Sequence, residues 1–559
     1  MTLRTSSLRG ATASIMACLL VLALAACSSA PSSVGSAGTQ PSAAADGSSK
    51  GENLNPQAPP QDGGALVFGV PGEAEGWNPH KDKWAQWSSF AGSSILEPLA
   101  MVDENSDAHP WLAHSWSPNS TFDEWTITLR DGVKFSNGEP FDAAAVKLNI
   151  EDTMKAPLMG LVVGPLLKRV EIIDEHTVKV TTTSSWAVFP AAFLGSQAGL
   201  MMAPAMLKSD NGGSANPIGT GPFVFQEWKR DASLKTSKNP TYWRKGEPHL
   251  DSIEFRVITD PSSLQRALEA RDVDMIFTPS ADNYAALHDK YQAVKNWTNE
   301  PMMVVTNTLP TVKDKPNPLS NLHVRRALAL ATDRDTIAQT IGNGVLPASQ
   351  IFSPDGPWGL PDDQNPYPAF DLEKAKAEVE AYKKETGAST VAFTLLGTAD
   401  SLTTRLMQLL QSQWQLAGIE AMLENSDATA FLTRIATGDY ETAVLPLFSA
   451  SEPDLDYPFL ASASAKGPHA ISINMSQFSN AKTEEALQIG RSTTDRTLRK
   501  KAYNDLVREL NANAVFIWLY WTPYSIIADK RVHGLQQAAT IPFAHLHPKE
   551  WFGELWVSR

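Results

Sequence analysis

The chain has 559 residues, of which 47 are Lys or Arg and 61 are Asp or Glu, so its formal net charge is −14 at pH 7. It contains 16 Trp and two Cys. The acidic balance, without a long basic run, argues against binding to nucleic acid, because neutralising phosphates takes clustered Lys and Arg. The length is sufficient for two large lobes, each with a hydrophobic core of its own.

The N-terminus combines a basic head with a short apolar run. Arg4 and Arg9 supply the charge, and residues 13–26 supply the run. A transmembrane helix needs about 20 apolar residues, so residues 1–26 are expected to form an export signal. The run ends in "LAAC", which resembles the lipobox of bacterial lipoproteins, in which the cysteine, here Cys27, is lipidated. An ordinary secretory signal with an incidental cysteine is the alternative.

Removal of the signal would leave one cysteine, since Cys18 lies inside the apolar run. No disulfide is then expected within a monomer. Residues 27–63 are rich in Ser, Gly, Ala and Pro and lack apolar periodicity, which predicts a flexible tether. We therefore expect an exported protein, held by a lipid anchor on the outer face of the cell membrane or in the periplasm.

Strand and helix patterns alternate after the tether. The run "GGALVFGV" predicts the first strand, and the loop that follows contains three Trp. "EWTITLRDG" alternates as a strand, a helix is expected to begin with Asp142 as its N-cap, and "RVEIIDEHTVKVTTTS" predicts a hairpin. The alternation continues to about residue 305.

A proline-rich break, "TLPTVKDKPNPLSN", marks the predicted lobe boundary. Beyond it we predict strands at "TVAFTLLG", "IEAMLE", "ETAVLPLF", "AVFIWLYW" and "YSIIAD". The helices expected among them lie near residues 324–341, 372–384, 402–417, 483–491 and 497–511. This alternation predicts an α/β lobe.

Catalytic and metal-binding motifs give no positive signal. The chain has no phosphate-binding G-x-x-x-x-G-K-[ST] loop and no H-E-x-x-H helix. His545 and His547 would share one face of a strand, although a solvated chain end is favoured there. The acidic stretch Asp103–Asp107 lacks the Gly and the distal Glu of an EF-hand, so a turn is predicted. We expect no catalytic residues, no metal and no cofactor.

Five sequence blocks occur in an order that resembles a known family. They are "WLAHSWSPNSTFDEWTITLRDGVKFSNGEPF", "IGTGPFVFQEW" with "KNPTYWRKGEPHLDSIEF", "NLHVRRALALATDRDTIAQTIGNG", "FDLEKAKAEVEAY" and "WQLAGIEAMLENSDATAFLTRIATGDYETAV". Together they resemble the extracytoplasmic solute-binding lipoproteins of peptide-type ABC importers, which include oligopeptide, dipeptide and nickel receptors (family 5). Gly219 and Gly221 are expected where the backbone packs closely, and Tyr242 and Trp243 where aromatic rings cover a sheet edge.

The resemblance implies a fold and a set of partners. The fold is α/β, a two-lobed periplasmic-binding-protein-like fold of type II, in the large cluster with an extra subdomain in lobe I. Lobe I would comprise residues 64–305 and 531–559, and lobe II residues 306–530. A solute would be enclosed between the lobes, and the closed form would dock on an ABC permease driven by cytoplasmic ATPases. We expect a monomer.

One loop departs from the pattern of the family's peptide binders. After the strand "ETAVLPLF" these proteins often carry an aspartate that pairs with the α-ammonium group of the peptide. Here Ser449 occupies that position, and Glu452-Pro453-Asp454 follows. Because a buried ammonium without a carboxylate partner is costly, either Glu452, Asp454 or Asp456 replaces the missing acid, or the ligand is not an ordinary free-amine peptide.

Positions carried over from the family give ten candidate ligand-binding residues. Aromatic walls bind main chain or sugar faces by stacking, and a few polar groups fix the orientation of the ligand. Packing in the core is the alternative for each aromatic residue. The candidates are Glu75, Trp77, Trp84, Trp87, Trp358, Ser449, Glu452, Asp454, Trp521 and Tyr524.

The sequence therefore predicts a receptor rather than an enzyme, most simply an oligopeptide receptor. The same scaffold also serves nickel chelates, oligosaccharides, opines and other solutes, and these form the alternative. An exported hydrolase, or an adhesin or signalling receptor on the same fold, would be a different class of protein, and no motif indicates either.

Overall fold

The computed structural model describes residues 50–103, 105–157, 159–296, 300–342, 344–447, 452–467, 470–535 and 551–558. These residues belong to one compact unit. Two large β-sheets and a smaller four-stranded sheet organise it. Within the described ranges, no helix is long and apolar enough to cross a membrane.

The strands, in chain order, are β1 (Lys50–Glu52), β2 (Ala65–Val70), β3 (Glu97–Pro98), β4 (Ala100–Val102), β5 (Ala108–Pro110), β6 (Ala113–Pro118), β7 (Glu124–Leu129), β8 (Leu167–Asp174), β9 (Thr177–Thr182), β10 (Leu200–Met201), β11 (Phe223–Lys229), β12 (Ser233–Lys238), β13 (Ser252–Val257), β14 (Met275–Thr278), β15 (Gln292–Asn296), β16 (Pro301–Thr306), β17 (Thr311–Val312), β18 (Lys315–Pro316), β19 (Val391–Thr398), β20 (Ile419–Ser426), β21 (Thr442–Pro446), β22 (Phe516–Trp521), β23 (Tyr524–Ala528), β24 (Val532–His533) and β25 (Trp556–Val557).

The helices are α1 (Gln86–Ser93), α2 (Ala143–Lys155), α3 (Met159–Val162), α4 (Pro204–Lys208), α5 (Pro261–Glu269), α6 (Ala281–Leu287), α7 (Leu322–Ala331), α8 (Arg334–Ile341), α9 (Leu372–Thr386), α10 (Ser401–Leu416), α11 (Ala428–Thr437), α12 (Tyr457–Leu460), α13 (Ala481–Ser492), α14 (Arg496–Ala512) and α15 (Trp551–Glu554).

The first sheet has eight strands in the order β1-β15-β23-β14-β2-β13-β12-β11. The strand β2 lies inside this sheet and runs parallel to β13 and β14. An interior strand covered on both faces is apolar almost throughout, which explains the run "ALVFGV". Leu66 and Phe68 in this run are fully buried. The first predicted strand is confirmed.

The second sheet has five strands in the order β20-β19-β21-β16-β22. The strand β19 runs parallel to β20 and β21, whereas β16 runs antiparallel to β21 and β22. Helices cover the sheet, and the rings of Phe393 in β19 and Trp414 in α10 lie 5.9 Å apart in the core. The predicted alternation of strands and helices is therefore present in this part of the chain.

The chain leaves the first sheet after Asn296, enters the second at Pro301, and returns between Trp521 and Tyr524. Among the described residues, we call those of 50–296 and 524–558 the first lobe, those of 301–521 the second lobe, and residues 300 and 522–523 the hinge. Because β15 pairs with β23 and β16 pairs with β22, the two connections lie side by side. The predicted lobe boundaries, after residues 305 and 530, stay a prediction; the chain changes sheets earlier than both, after Asn296 and after Trp521.

The extra subdomain of the first lobe is the four-stranded antiparallel sheet β6-β7-β9-β8. Burial alternates along β7, where Trp125, Ile127 and Leu129 point inward, as their spacing predicts. The helix α2 begins where predicted, because the Asp142 carboxylate accepts a hydrogen bond from the backbone N–H of Ala145 at 2.8 Å.

Glu97 is a buried carboxylate that ties distant segments of the first lobe together. Its Oε1 accepts hydrogen bonds from the indole N–H of Trp111 at 3.0 Å and the hydroxyl of Tyr242 at 2.8 Å. Its Oε2 accepts from the hydroxyl of Thr220 at 2.7 Å and the indole N–H of Trp243 at 3.0 Å. Burial raises the pKa of Glu97, although the four donors oppose this change.

The Glu97 contacts explain residues in two of the sequence blocks, namely Trp111 in the first block and both stretches of the second. A Cβ atom on Gly219 or Gly221 would come within 2.1 or 2.6 Å of the Ile95 carbonyl oxygen, so the close packing predicted for these glycines is confirmed. The glycines let the residue between them reach the carboxylate. Tyr242 and Trp243, which were expected to cover a sheet edge, both donate hydrogen bonds to the buried carboxylate.

Replacing Glu97 by Gln is expected to lower the free energy of unfolding by about 2–6 kcal/mol. One carboxylate oxygen becomes an amide NH2 group that faces two donors, and each buried donor left without an acceptor costs about 1–3 kcal/mol. Chemical denaturation followed by circular dichroism measures the change. Glu227→Gln, on the exposed face of β11, is the control and should stay within about 0.5 kcal/mol of the unchanged protein. If both variants unfold with the same free energy, the hydrogen bonds to Glu97 do not stabilise the first lobe.

Candidate functional site

The parallel strands of both sheets end at the edges that the hinge joins. The strand β15 ends at the hinge, and β2, β13 and β14 run in the same direction as β15. The strand β16 begins at the hinge, and β19, β20 and β21 run opposite to it, so they also end there. In open α/β sheets, ligands bind at the carboxyl ends of strands. The space between these two edges is therefore the candidate site.

Four helices begin at these edges, directly after the strands. Each N-cap side chain accepts a hydrogen bond from a backbone N–H of the first turn, and three of the four caps are carboxylates. The caps are Asp260 for α5, Ser280 for α6, Asp400 for α10 and Asp427 for α11. Both edges thus carry exposed negative charge, stabilised by the positive ends of the helices.

Glu300 lies in the hinge at the base of this space. Its carboxylate accepts a hydrogen bond from the Gln86 side-chain amide at 3.2 Å and another from the Tyr524 hydroxyl. Its backbone carbonyl accepts from the N–H of Thr522 in the other connection at 2.9 Å. Burial raises the pKa of Glu300 to about 7. The predicted residue Tyr524 therefore contacts the hinge, and its ring stacks on Phe277 at 5.4 Å.

The predicted tryptophans of the loop after β2 pack together. Trp77 is buried and meets Trp84 and Trp228 edge to face, with ring centres 6.1 and 5.5 Å apart. Trp84 donates its indole N–H to the Gly76 carbonyl at 2.9 Å. Trp87 is half-buried. Packing thus accounts for much of the surface of Trp77 and Trp84, and a ligand contact for these residues stays a prediction.

Glu75 differs from its tryptophan neighbours because it is exposed. Its backbone carbonyl accepts a hydrogen bond from the Arg230 guanidinium at 2.8 Å. The same guanidinium pairs with Glu73 at 3.2 Å and lies over the ring of Trp228 at 4.5 Å. These contacts fix the loop backbone and leave the Glu75 side chain at the surface.

The predicted acids of the second lobe are buried and pair with arginines. Glu452 forms an ion pair with Arg499 and accepts the backbone N–H of Asp454 at 3.1 Å. Burial raises the pKa of Glu452 to about 7, with Arg499 opposing the rise. Asp454 accepts a hydrogen bond from Arg491 at 3.2 Å and another from the indole N–H of Trp186 at 2.5 Å. Both carboxylates are thus neutralised by groups of the chain itself.

Trp358 joins this arginine cluster. The Arg499 guanidinium lies 4.5 Å from the Trp358 ring centre, and the Tyr503 ring packs edge to face on it at 5.6 Å. The indole N–H of Trp358 donates to the Ser106 hydroxyl, in the first lobe, at 3.0 Å. Trp358 is therefore a contact between the lobes in this structure.

Trp521 lines a pocket of about 490 Å³ in the second lobe. Tyr367, Phe370 and Asp355 are among the other residues of its wall. Every residue of this wall lies in the second lobe, and Trp521 ends β22 immediately before the hinge. The pocket thus borders the candidate site from one side.

The structure brings the candidates together in three groups: the tryptophan loop, the arginine cluster and the hinge. Ser449 and the lipidation candidate Cys27 lie outside the described residues. Sequence reasoning missed Glu300, Arg491 and Arg499. The two arginines lie within predicted helices, and a charged residue within a predicted element is a possible signal for a buried ion pair. Nothing in the sequence indicated which charged residues would be buried.

The described residues contain no group of three or more His, Cys, Asp or Glu side chains that could hold a metal ion. In the acidic stretch, the Asp103 carboxylate accepts the backbone N–H groups of Asn105 and Asp107, both at 2.9 Å. The turn predicted there is confirmed. His545 and His547 lie outside the described residues.

Two sheets joined by a double connection, with strand ends facing one another, define a two-lobed binding protein of the α/β class. The model of the family "Bacterial extracellular solute-binding proteins, family 5 Middle" matches residues 107–468, which is more than half of the chain. The chain belongs to this family, as its sequence blocks predicted.

Characterised relatives and solved structures cover most of the chain. It is 28% identical over 441 residues to the probable D,D-dipeptide-binding periplasmic protein DdpA of Escherichia coli K12, covering 77% of this chain and 82% of that protein. It is 26% identical over 499 residues to the nickel-binding periplasmic protein of the same organism, covering 84% and 92%. The structure of AgaA from A. tumefaciens R10 in complex with agropinic acid is similar with a TM-score of 0.76 at 25% identity, covering 89% and 99%.

Glu300 is expected to make stability depend on pH. Its pKa is raised from 4.5 to about 7 in the folded chain, so its contribution is fully present below pH 4.5 and is lost as the pH rises to about 7. The loss amounts to about 3 kcal/mol. Glu300→Gln removes this dependence, so the difference in free energy of unfolding between the unchanged protein and the variant should fall by that amount across this range.

Urea denaturation at pH 4.5, 5.5, 6.5 and 7.5 measures this difference. Glu420→Gln, a change at an exposed residue of β20, is the matched control and should stay within about 0.5 kcal/mol of the unchanged protein at each of these pH values. A constant difference for Glu300→Gln as well would show that the hinge carboxyl titrates normally.

Proposed function

We propose that this chain is the lipid-anchored, extracytoplasmic receptor of an ABC importer. It captures a solute between its two lobes and delivers it to permease subunits driven by cytoplasmic ATPases. The observation that carries this proposal is the double connection, which joins two sheets whose strand ends face each other. A ligand that contacts both edges stabilises the closed arrangement, so binding itself is the signal that the permease reads.

The solute is an oligopeptide in our proposal, with a non-peptide solute as the alternative. Relatives named for a dipeptide and for nickel, and a similar structure that holds agropinic acid, support both versions. The alternative gains weight because Glu452 and Asp454 already pair with arginines. An α-ammonium group would have to displace those arginines or pair with another carboxylate, such as the exposed Glu75.

Mass spectrometry of solute released from protein purified without unfolding tests the nature of the ligand. A ladder of short peptides is expected for a peptide receptor. Glu75→Gln should then weaken capture of these peptides. Glu420→Gln, which also removes an exposed charge but lies away from the strand ends, is the control and should weaken capture less. A single non-peptide mass would overturn the peptide version and keep the receptor. Labelling of one serine by an active-site probe would overturn the receptor in favour of a hydrolase.

The export signal, the tether and Cys27 support attachment through lipid. Labelling of cells with a radioactive fatty acid should mark the unchanged protein, and Cys27→Ser should abolish the label and release the protein from the membrane fraction. Cys18→Ser, within the apolar run, is the control and should keep both label and membrane association. An unlabelled parent protein would indicate an ordinary secretory signal.

A further inference from the structure

Two loops of the first lobe touch the second lobe away from the hinge. One follows β9 of the extra subdomain and contains Trp186 and Ala187, and the other joins β4 to β5 and contains Ser106 and Asp107. Their partners lie at the arginine cluster of the second lobe. The first loop gives the extra subdomain, and the second gives the β4–β5 hairpin, a contact that the proposed ligand site does not need.

The inner contact centres on Asp454. Its Oδ2 accepts the indole N–H of Trp186 at 2.5 Å and the Arg491 guanidinium at 3.2 Å. That guanidinium lies 3.8 Å from the ring centre of Tyr457 and 5.3 Å from that of Trp186. The backbone N–H of Ala187 donates to the Arg491 carbonyl at 2.7 Å. The Asp454 and Arg491 side chains are 1% and 2% exposed, so water is excluded from this contact.

The outer contact lies nearer the surface. Trp358 donates its indole N–H to the Ser106 hydroxyl at 3.0 Å. Arg496, at the start of α14, donates to the Asp107 carboxylate at 3.3 Å and to the Asn105 carbonyl at 2.8 Å. Each donor here has its acceptor across the boundary between the lobes.

Each side of these contacts is anchored in its own lobe. Trp186 packs edge to face on Phe189 and Phe193 in the core of the first lobe. Leu487 of α13 and Tyr503 of α14 belong to the core of the second lobe. A rotation about the hinge would therefore separate the donors from the acceptors at these two contacts.

We propose that these inner and outer contacts form a latch that holds the lobes closed whether or not a solute is bound. The proposal rests on the proposed function only for the movement of the lobes. A preformed latch raises the population of the closed state, and the apparent affinity for a solute rises in proportion to that population. The latch thereby assigns the extra subdomain and the β4–β5 loop a role in capture without any contact to the solute.

The latch is tested on empty protein by the distance between two spin labels. The full chain with Cys18 and Cys27 replaced by Ser contains no other cysteine. Asp131→Cys in the first lobe and Glu373→Cys in the second lobe place one label on each, since both side chains are more than four-fifths exposed. Unfolding in guanidinium and refolding removes bound solute, and mass spectrometry verifies that none remains. Double electron–electron resonance then reports the closed and open populations.

Trp186→Phe removes the indole donor and keeps an aromatic ring, so the ratio of closed to open protein should fall about tenfold, as expected for one hydrogen bond to a charged group. Trp125→Phe is the matched control. Trp125 is equally buried in the same subdomain, stacks on Phe189 at 5.6 Å, and its indole N–H has no acceptor among the described residues. This control should leave the ratio unchanged.

Arg496→Gln provides a second variant that does not touch the core, because the Arg496 side chain is 45% exposed. It should lower the same ratio by a smaller factor than Trp186→Phe. An open empty protein, or equal ratios in the parent chain, Trp186→Phe and Arg496→Gln, would overturn the latch. Solute in the native preparation together with an open empty protein would refute the latch alone. A closed empty protein that never yields a solute would refute the proposed function alone.

Discussion

The double connection between the two sheets, whose flanking strands pair side by side, constrains the rest of this structure. Because β15 pairs with β23 and β16 with β22, the connections cannot shift independently. The two lobes can therefore rotate about one line, and the carboxyl ends of the parallel strands in both sheets face that line. Glu300 lies on this line. Its backbone carbonyl accepts a hydrogen bond from the N–H of Thr522 in the other connection. The position of the ligand site follows from this topology before any side chain is considered.

Local patterns made most of the architecture predictable from the sequence. The alternation of Trp125, Ile127 and Leu129 gave a strand, and Asp142 gave a helix start, because both depend only on neighbouring residues. The sequence blocks of the family identified the fold, and Glu97 supplies a physical reason for two of them, through Trp111 of the first block and Thr220 of the second. The points where the chain passes from one sheet to the other were less accessible, since the apolar strand pattern continues on both sides of them.

The chemistry of the site was harder to predict because it depends on pairs of residues that are far apart in sequence. Trp186 and Asp454 are separated by 268 positions, and neither stands in a pattern that points to the other. The sequence suggested that Glu452 or Asp454 could serve as a carboxylate partner for a ligand, and it gave Trp186 no role. The structure shows instead that Glu452 and Asp454 are already neutralised, by Arg499 and Arg491. Which charges are buried together is set by the packing of α13 and α14, which periodicity does not specify.

A contact that opens and closes must keep its buried charges paired while it is closed, and it must break without leaving a charge unpaired. While it is closed, Asp454 is buried, and a buried charge that lost its partner would cost several kcal/mol. The structure meets this requirement by pairing Asp454 with Arg491 inside the second lobe and adding Trp186 from the first lobe as a neutral donor. Separation of the lobes at this contact therefore exposes a neutral N–H to water and leaves the ion pair intact. Opening at this contact then breaks hydrogen bonds between the lobes and no buried ion pair.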